Sequence, residues 1–201
     1  MTIDIDESKL KRNEFGLWLA WTLATALGML VGYLPLALLV GSLDLGIARV
    51  IVPIITGILL GLTQWMVLRP YVKGSVDWVL NHAVGWVVGF TLGLFIVQLL
   101  SKTALGMLVG FITFGVIVAL FQYPVLRREI PHLATWILAN VIGWTVGAYL
   151  SQMAAGIFFQ NALPNTFTSA LVTVGITGLV AGAITALALI LIVRQPDRLA
   201  A

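Results

Sequence analysis

Six long runs of apolar residues, joined by short segments that carry most of the charge, constrain the fold of this chain more than any other feature. About 20 consecutive apolar residues in a helix span the hydrocarbon core of a bilayer. We place six such spans at 15–41, 47–68, 76–100, 104–126, 133–159 and 167–193. Of the residues, 60% are hydrophobic and 9% charged, whereas about a quarter are charged in soluble domains. The sequence therefore predicts an all-α, polytopic membrane protein.

The connections between the runs are short, which predicts one six-helix transmembrane domain at 15–194 with polar tails at 1–14 and 195–201. The first run, at 15–41, is longer than the roughly 7–15 residues of a signal-peptide core, so we interpret it as a retained helix. The chain has no cysteine, which excludes disulfides, thiolate metal sites and cysteine nucleophiles.

Lysine and arginine are distributed unequally between the two sides of the six spans. Arg49 and Lys102 lie on one side, and all the others lie on the side of both termini. Short cytoplasmic loops carry the excess of basic residues, so we predict a cell (inner) membrane protein with both termini in the cytoplasm. The bases form no stripe and no binding motif, so we expect membrane lipids and other membrane subunits as partners and no nucleic acid. The bases on the terminal side are Lys9, Lys11, Arg12, Arg69, Lys73, Arg127, Arg128, Arg194 and Arg198.

An internal repeat relates the middle of the chain to itself. A shift of 58 residues superposes Gln64 on Gln122, Arg69 on Arg127, and Trp78 and Trp86 on Trp136 and Trp144. A shift of 57 residues brings Trp21 onto Trp78 in the same way. The pattern predicts three tandem helical hairpins of the same orientation, at about 15–69, 76–128 and 133–194. A pseudo-threefold bundle is the favoured arrangement, with a row of hairpins as the alternative.

Each span carries a pair of glycines four residues apart. Lipid tails give helices no hydrophobic reason to associate, so close backbone contact at small residues is a common means of packing. We interpret the pairs as helix-packing surfaces: Gly28/Gly32, Gly57/Gly61, Gly85/Gly89, Gly106/Gly110, Gly143/Gly147 and Gly178/Gly182.

Five polar residues recur at one depth of the spans: Thr25, Gln64, His82, Gln122 and Asn140. Gln64 and His82 are separated by the same number of residues as Gln122 and Asn140, and both pairs flank a loop on the terminal side. We predict a structural polar cluster in which each glutamine hydrogen-bonds the polar residue of the next helix. The same cluster could alternatively line a small polar cavity.

The residues that could carry chemistry are few. No Asp, Glu, Lys or Arg lies deep inside a span, which counts against proton relays and ion-coupled carriers. No catalytic or phosphate-binding motif occurs, so we predict that the protein is not an enzyme and needs no cofactor or metal. His82 could ligate a haem or chlorophyll metal, but a neutral, hydrogen-bonded histidine is the favoured interpretation. Arg69, Arg127 and Arg194 follow the even-numbered spans and could contact lipid headgroups.

All seven tryptophans lie toward the terminal side. We assign Trp18, Trp21, Trp65, Trp78 and Trp136 to an interfacial belt, where amphipathic rings sit at the headgroup level. Trp86 and Trp144 lie deeper, and for them we favour packing with a satisfied N–H over contact with a pigment or lipid.

The blocks G-x6-Q-[WY]-x2-L-R and W-x6-G-W-x2-G resemble a family of uncharacterised bacterial multi-pass membrane proteins, over most of residues 57–150. The first and last spans depart from these blocks, with Met29 at the position of the second tryptophan and Leu189 at that of the glutamine. The resemblance implies membrane localisation and repeated hairpins, and it implies no activity. Three functions follow as hypotheses: a non-enzymatic scaffold or accessory subunit of a membrane complex, a small transporter or channel, and a pigment- or lipid-binding protein.

Overall fold

The computed structural model describes residues 7–39, 45–72, 76–127, 133–158 and 167–193. Its described residues form six α-helices and no strand. Each helix is long and apolar enough to cross a membrane, which confirms the prediction of an all-α, polytopic membrane protein. The helices are α1 Glu7–Leu39, α2 Leu45–Leu68, α3 Asp77–Leu99, α4 Ala104–Leu126, α5 Leu133–Phe158 and α6 Phe167–Val193.

The start of α1 differs most from the predicted span. The helix begins at Glu7, within the segment predicted as a tail, while the apolar stretch that can cross a membrane begins at Glu14. The intervening residues are mainly Glu, Lys, Leu and Arg, which favour helix without being apolar enough for a bilayer core. Hydropathy therefore predicted the membrane-crossing stretch but not the start of the longer helix that contains it.

The six helices are arranged as a ring. Each helix packs on the helices before and after it in the chain, and α1 packs on α6, so the chain forms a closed ring and not a row. Neighbouring helices are antiparallel, as the contacts of Gly85 with Val118 and of Gly93 with Gly110 show for α3 and α4. We call the end where the odd-numbered helices begin the terminal end, and the other the opposite end.

Several interhelical contacts are close enough to require glycine, and two of them illustrate the geometry. A Cβ atom on Gly57 would lie 2.9 Å from the Cα of Ala83 in α3. A Cβ atom on Gly147 would lie 2.9 Å from the carbonyl oxygen of Thr177 in α6. In both places the neighbouring atom is backbone, so a side chain could be accommodated only by moving a helix.

Candidate functional site

The interior of the ring contains three tryptophans in edge-to-face contact near the terminal end. The indoles of Trp21, Trp78 and Trp136 come from α1, α3 and α5, which are not neighbours in the ring. Their ring centroids lie 5.7–6.4 Å apart with interplanar angles of 67–69°, the edge-to-face geometry that aromatic pairs prefer. We call this group the tryptophan layer, and it fills the interior of the ring at that level.

The prediction of an interfacial belt was wrong for these three tryptophans. Each is at most 1% exposed and faces the other two, whereas Trp18 and Trp65 are only partly buried. The Trp21 indole donates to Thr185 Oγ1 in α6 (2.9 Å), and the Trp18 indole donates to the carbonyl of Ala183 (3.0 Å). Depth along a helix decides which residues reach the headgroup level, but the helix face decides whether they meet lipid or the interior.

The predicted polar residues lie together one helical turn below the tryptophan layer. Thr25, His82 and Asn140 each follow a tryptophan of that layer by four residues, which is about 6 Å along a helix. Gln64 and Gln122 reach the same level from α2 and α4. All five side chains are at most 2% exposed, and we call them the polar layer.

Gln122 connects two helices through the two ends of its amide. Its Oε1 accepts a hydrogen bond from the indole N–H of Trp136 in α5 (2.9 Å). Its Nε2 lies 2.7 Å from Nδ1 of His82 in α3. An indole N–H can only donate, so it fixes the amide with Oε1 toward α5 and the NH2 group toward α3.

This orientation of Gln122 also fixes the protonation of His82. Nδ1 faces an N–H donor and therefore accepts, so the ring is neutral and carries its proton on Nε2. Nε2 has no hydrogen-bond partner among the described residues. A metal would need the lone pair that Nε2–H lacks, so the hydrogen-bonded interpretation of His82 is favoured over the ligand interpretation. The ring lies against Trp86, with centroids 5.8 Å apart and an interplanar angle of 21°.

The contact between α2 and α3 is less completely paired. Gln64 Nε2 donates to Thr25 Oγ1 (3.0 Å), a residue of α1. Gln64 Oε1, Trp78 Nε1 and His82 Nε2 are buried without a partner in the described part of the chain. The corresponding amide oxygen and indole N–H, those of Gln122 and Trp136, are paired with each other. Thr145 Oγ1 in α5 is likewise buried without a partner among the described residues.

The predicted pairing of each glutamine with the next helix was wrong. Gln64 bonds Thr25 and Gln122 bonds His82, in both cases on the preceding helix of the same hairpin. Asn140 is occupied within its own helix, since it donates to the carbonyl of Trp136 (3.0 Å) and accepts from the Trp144 indole (3.3 Å). The spacing gave the correct depth, but the Trp136 indole takes the amide oxygen of Gln122, and the amide oxygen of Gln64 has no partner among the described residues.

A second group of aromatic rings lies one further turn from the terminal end. Trp86 and Trp144 are 5.1 Å apart at an interplanar angle of 78°. Phe114 of α4 lies 4.8 Å from Trp86 and 5.5 Å from Trp144, perpendicular to both. We call these three rings the second aromatic layer. The hydrogen bond from Trp144 to Asn140 agrees with the packing interpretation of that tryptophan.

The predicted headgroup contacts lie at the terminal end. Arg69 and Arg127 are exposed and directly follow α2 and α4. The Arg69 guanidinium lies 5.6 Å from the centroid of the Trp65 ring, a cation–π contact. Arg194 lies outside the described residues, as does the predicted tail at 195–201.

Hydrogen bonds and apolar contacts hold the described side chains of these layers together. Among the described residues, no group of three or more His, Cys, Asp or Glu side chains could hold a metal ion. Sequence reasoning missed Thr185 and Phe114, which complete the contacts of the two aromatic groups. Neither residue belongs to a recurring block, so only the helix face on which each lies could have identified it.

Comparisons with protein-family models, with curated proteins and with solved structures give no match to this chain.

Proposed function

We propose that this integral membrane protein is non-enzymatic and serves as a scaffold or accessory subunit of a membrane complex. The observation that carries the proposal is the tryptophan layer, which occupies the interior of the ring with three indoles at most 1% exposed. A channel or carrier needs a path for its substrate, and at this level the interior is occupied by side chains. The protein therefore offers its partners an outer surface and not a pore.

The distribution of the other polar side chains supports the same proposal. Gln98 and Gln152 are exposed on the outside of the ring and do not face its interior. Thr177 donates to Ser151 Oγ (3.0 Å) where α5 packs on α6. Two of the polar side chains that could have lined a pathway thus lie outside the ring, and two others are paired with each other.

The hairpin repeat is part of the proposal. Residues spaced 57 and 58 apart in the sequence meet in the tryptophan layer with nearly equal angles, which supports three hairpins of one orientation about a common axis. The close approaches of Gly57 and Gly147 support the glycine pairs as packing surfaces. With the terminal end in the cytoplasm, Arg69 and Arg127 would meet anionic headgroups of the inner leaflet.

A flux assay separates the proposal from the transporter or channel alternative. The purified chain is reconstituted in vesicles, and the efflux of protons, potassium ions and glycerol is compared with that from protein-free vesicles. We expect equal rates, because the tryptophan layer occupies the interior. Efflux that rises with the amount of reconstituted protein would contradict the proposal and favour transport.

Site-specific photo-cross-linking in native membranes tests the scaffold role directly. A benzophenone amino acid replaces Leu80 or Phe95, whose side chains are 67% and 62% exposed on the outside of the ring. Val118, which is 0% exposed, serves as the interior control. We expect adducts with a second membrane polypeptide from at least one outer position and none from Val118. If outer positions sampled on all six helices yield only lipid adducts, the scaffold proposal is refuted.

A further inference from the structure

A cavity of about 200 Å³ lies beyond the second aromatic layer, toward the opposite end. Trp86, Trp144 and Phe114 form its inner end, and Met29 lines it from α1. Along α3 and α4 it extends to Leu94 and Met107, which are 37% and 41% exposed. It is therefore open toward the outside of the bundle and closed toward the terminal end.

The cavity lies where the sequence departs from its own spacing. Each odd-numbered helix contributes an indole to the tryptophan layer. In the second aromatic layer, only α3 and α5 contribute an indole. The third position is Met29, 57 residues before Trp86. A methionine is narrower and more adaptable than an indole, and methionines are frequent on surfaces that accept varied apolar ligands. The substitution leaves the space that a third indole would occupy.

The lining accepts only an apolar occupant. Among the described residues that line the cavity, Thr177 is the one polar residue. Its hydroxyl already lies within hydrogen-bonding distance of the Thr173 carbonyl (2.8 Å) and of Ser151 Oγ (3.0 Å). An apolar cavity of about 150 Å³ is large enough to hold one benzene molecule. The present cavity therefore has room for a short stretch of hydrocarbon and offers no group that would bind a polar one.

We infer that this cavity binds the end of an acyl chain from a bilayer lipid. Leu94 and Met107, at its mouth, lie in the stretches of α3 and α4 that are long and apolar enough to cross a membrane. A chain end can enter from there without leaving the bilayer, and it gains contacts with aromatic rings that would otherwise face empty space. The site goes beyond the proposed scaffold role and does not depend on it.

Photolabelling with a phosphatidylcholine that carries a diazirine at the end of one acyl chain tests the inference. The full chain is reconstituted with this lipid and irradiated, and the labelled residues are located by mass spectrometry. We expect label on Trp144 and Phe114, which are only 4% and 8% exposed, in addition to outer residues such as Phe95. Label confined to outer residues would overturn the inference.

Two variants show whether the interior label comes from the cavity. Met29→Trp restores the third indole and should reduce the label on Trp144 and Phe114 to the background at Val118, while Phe95 stays labelled. Met153→Trp, at a position 62% exposed on α5, is the matched control and should leave the interior label unchanged. Interior label that persists in Met29→Trp refutes the site.

The folding of Met29→Trp is checked by its helical circular dichroism, and Met29→Phe replaces it if the larger ring prevents folding. A free diazirine-bearing benzene distinguishes the source of the hydrocarbon. If it labels the interior and the lipid does not, the cavity takes a dissolved apolar molecule and the assignment to an acyl chain is wrong.

Discussion

Replacing Gln122 by leucine should destabilise the bundle more than the same replacement at Gln64. Gln122 makes two interhelical hydrogen bonds, one with His82 and one with Trp136. Gln64 makes one, with Thr25, and its carbonyl oxygen is buried without a partner. Leucine is one heavy atom smaller than glutamine and carries no polar group, and it occurs naturally at the corresponding position of α6, Leu189. The two variants therefore differ mainly in the hydrogen bonds that they remove.

The expected difference follows from these contacts. Interhelical hydrogen bonds in membranes contribute roughly 0.6 kcal/mol each on average. Gln122→Leu loses two of them and leaves the Trp136 N–H buried and unpaired, so we expect a loss of about 1–3 kcal/mol in the free energy of unfolding. Gln64→Leu loses one bond but also removes the unpaired carbonyl, so we expect a change within about 0.5 kcal/mol of zero.

The free energy of unfolding can be measured in mixed micelles, by adding sodium dodecyl sulfate to protein in a mild detergent and following the helical circular dichroism. Gln98→Leu is the matched control, because Gln98 is exposed on the outside of α3. Its stability should equal that of the wild type or exceed it slightly. The reasoning is refuted if Gln64→Leu loses as much stability as Gln122→Leu, or if Gln122→Leu loses no more than the control.

Further predictions concern packing, the tryptophan layer and topology. Gly147→Ala should cost about 1–3 kcal/mol in the same unfolding assay, since its Cβ would meet backbone; Gly156→Ala, with nothing within 4 Å, should be neutral or slightly stabilising, and equal costs would contradict the packing. Thr185→Val removes the acceptor of an indole N–H and should cost about 1 kcal/mol, while no loss would show that the bond is not maintained. The chain has no native cysteine. An impermeant thiol reagent added to intact cells should therefore label Ser101→Cys and not Arg127→Cys, and the opposite pattern would reverse the topology.

The sequence predicts the number and type of the helices because one strong signal determines both. A bilayer core leaves no partner for an unpaired backbone group, so every long apolar run becomes a helix. Apolar runs do not indicate whether the charged residues that flank them are helical. The sequence therefore did not predict that α1 begins at Glu7, before the start of its span. Lipid-facing and interior faces are both apolar here, as the exposed Leu80 and the buried Leu60 illustrate, so apolar periodicity did not separate them.

The depth of the polar layer could be predicted, but its bonds could not. Spacing along antiparallel helices is enough to bring Gln122, His82 and Asn140 to one level. Which of them pair depends on competition for donors and acceptors. Asn140 is already hydrogen-bonded to Trp136 and Trp144 of its own helix, and the Trp136 indole donates to the Gln122 oxygen. The repeat could also have predicted the tryptophan layer. Three tryptophans at equivalent positions of three similar hairpins lie on equivalent helix faces, so if one faces the interior of the ring, all three do.

The two departures from the repeat both affect the interior near α1 and α6, with different consequences. Where Leu189 replaces glutamine, a hydroxyl one turn away, that of Thr185, accepts the Trp21 N–H, and the tryptophan layer remains complete. Where Met29 replaces tryptophan, Phe114 of α4 joins the two remaining indoles, and Met29 lines the cavity beside these rings. The interior is consequently filled at the terminal end and contains a cavity toward the opposite end. The proposed acyl-chain site lies on one side of the filled tryptophan layer, so lipid binding there is compatible with the proposed scaffold.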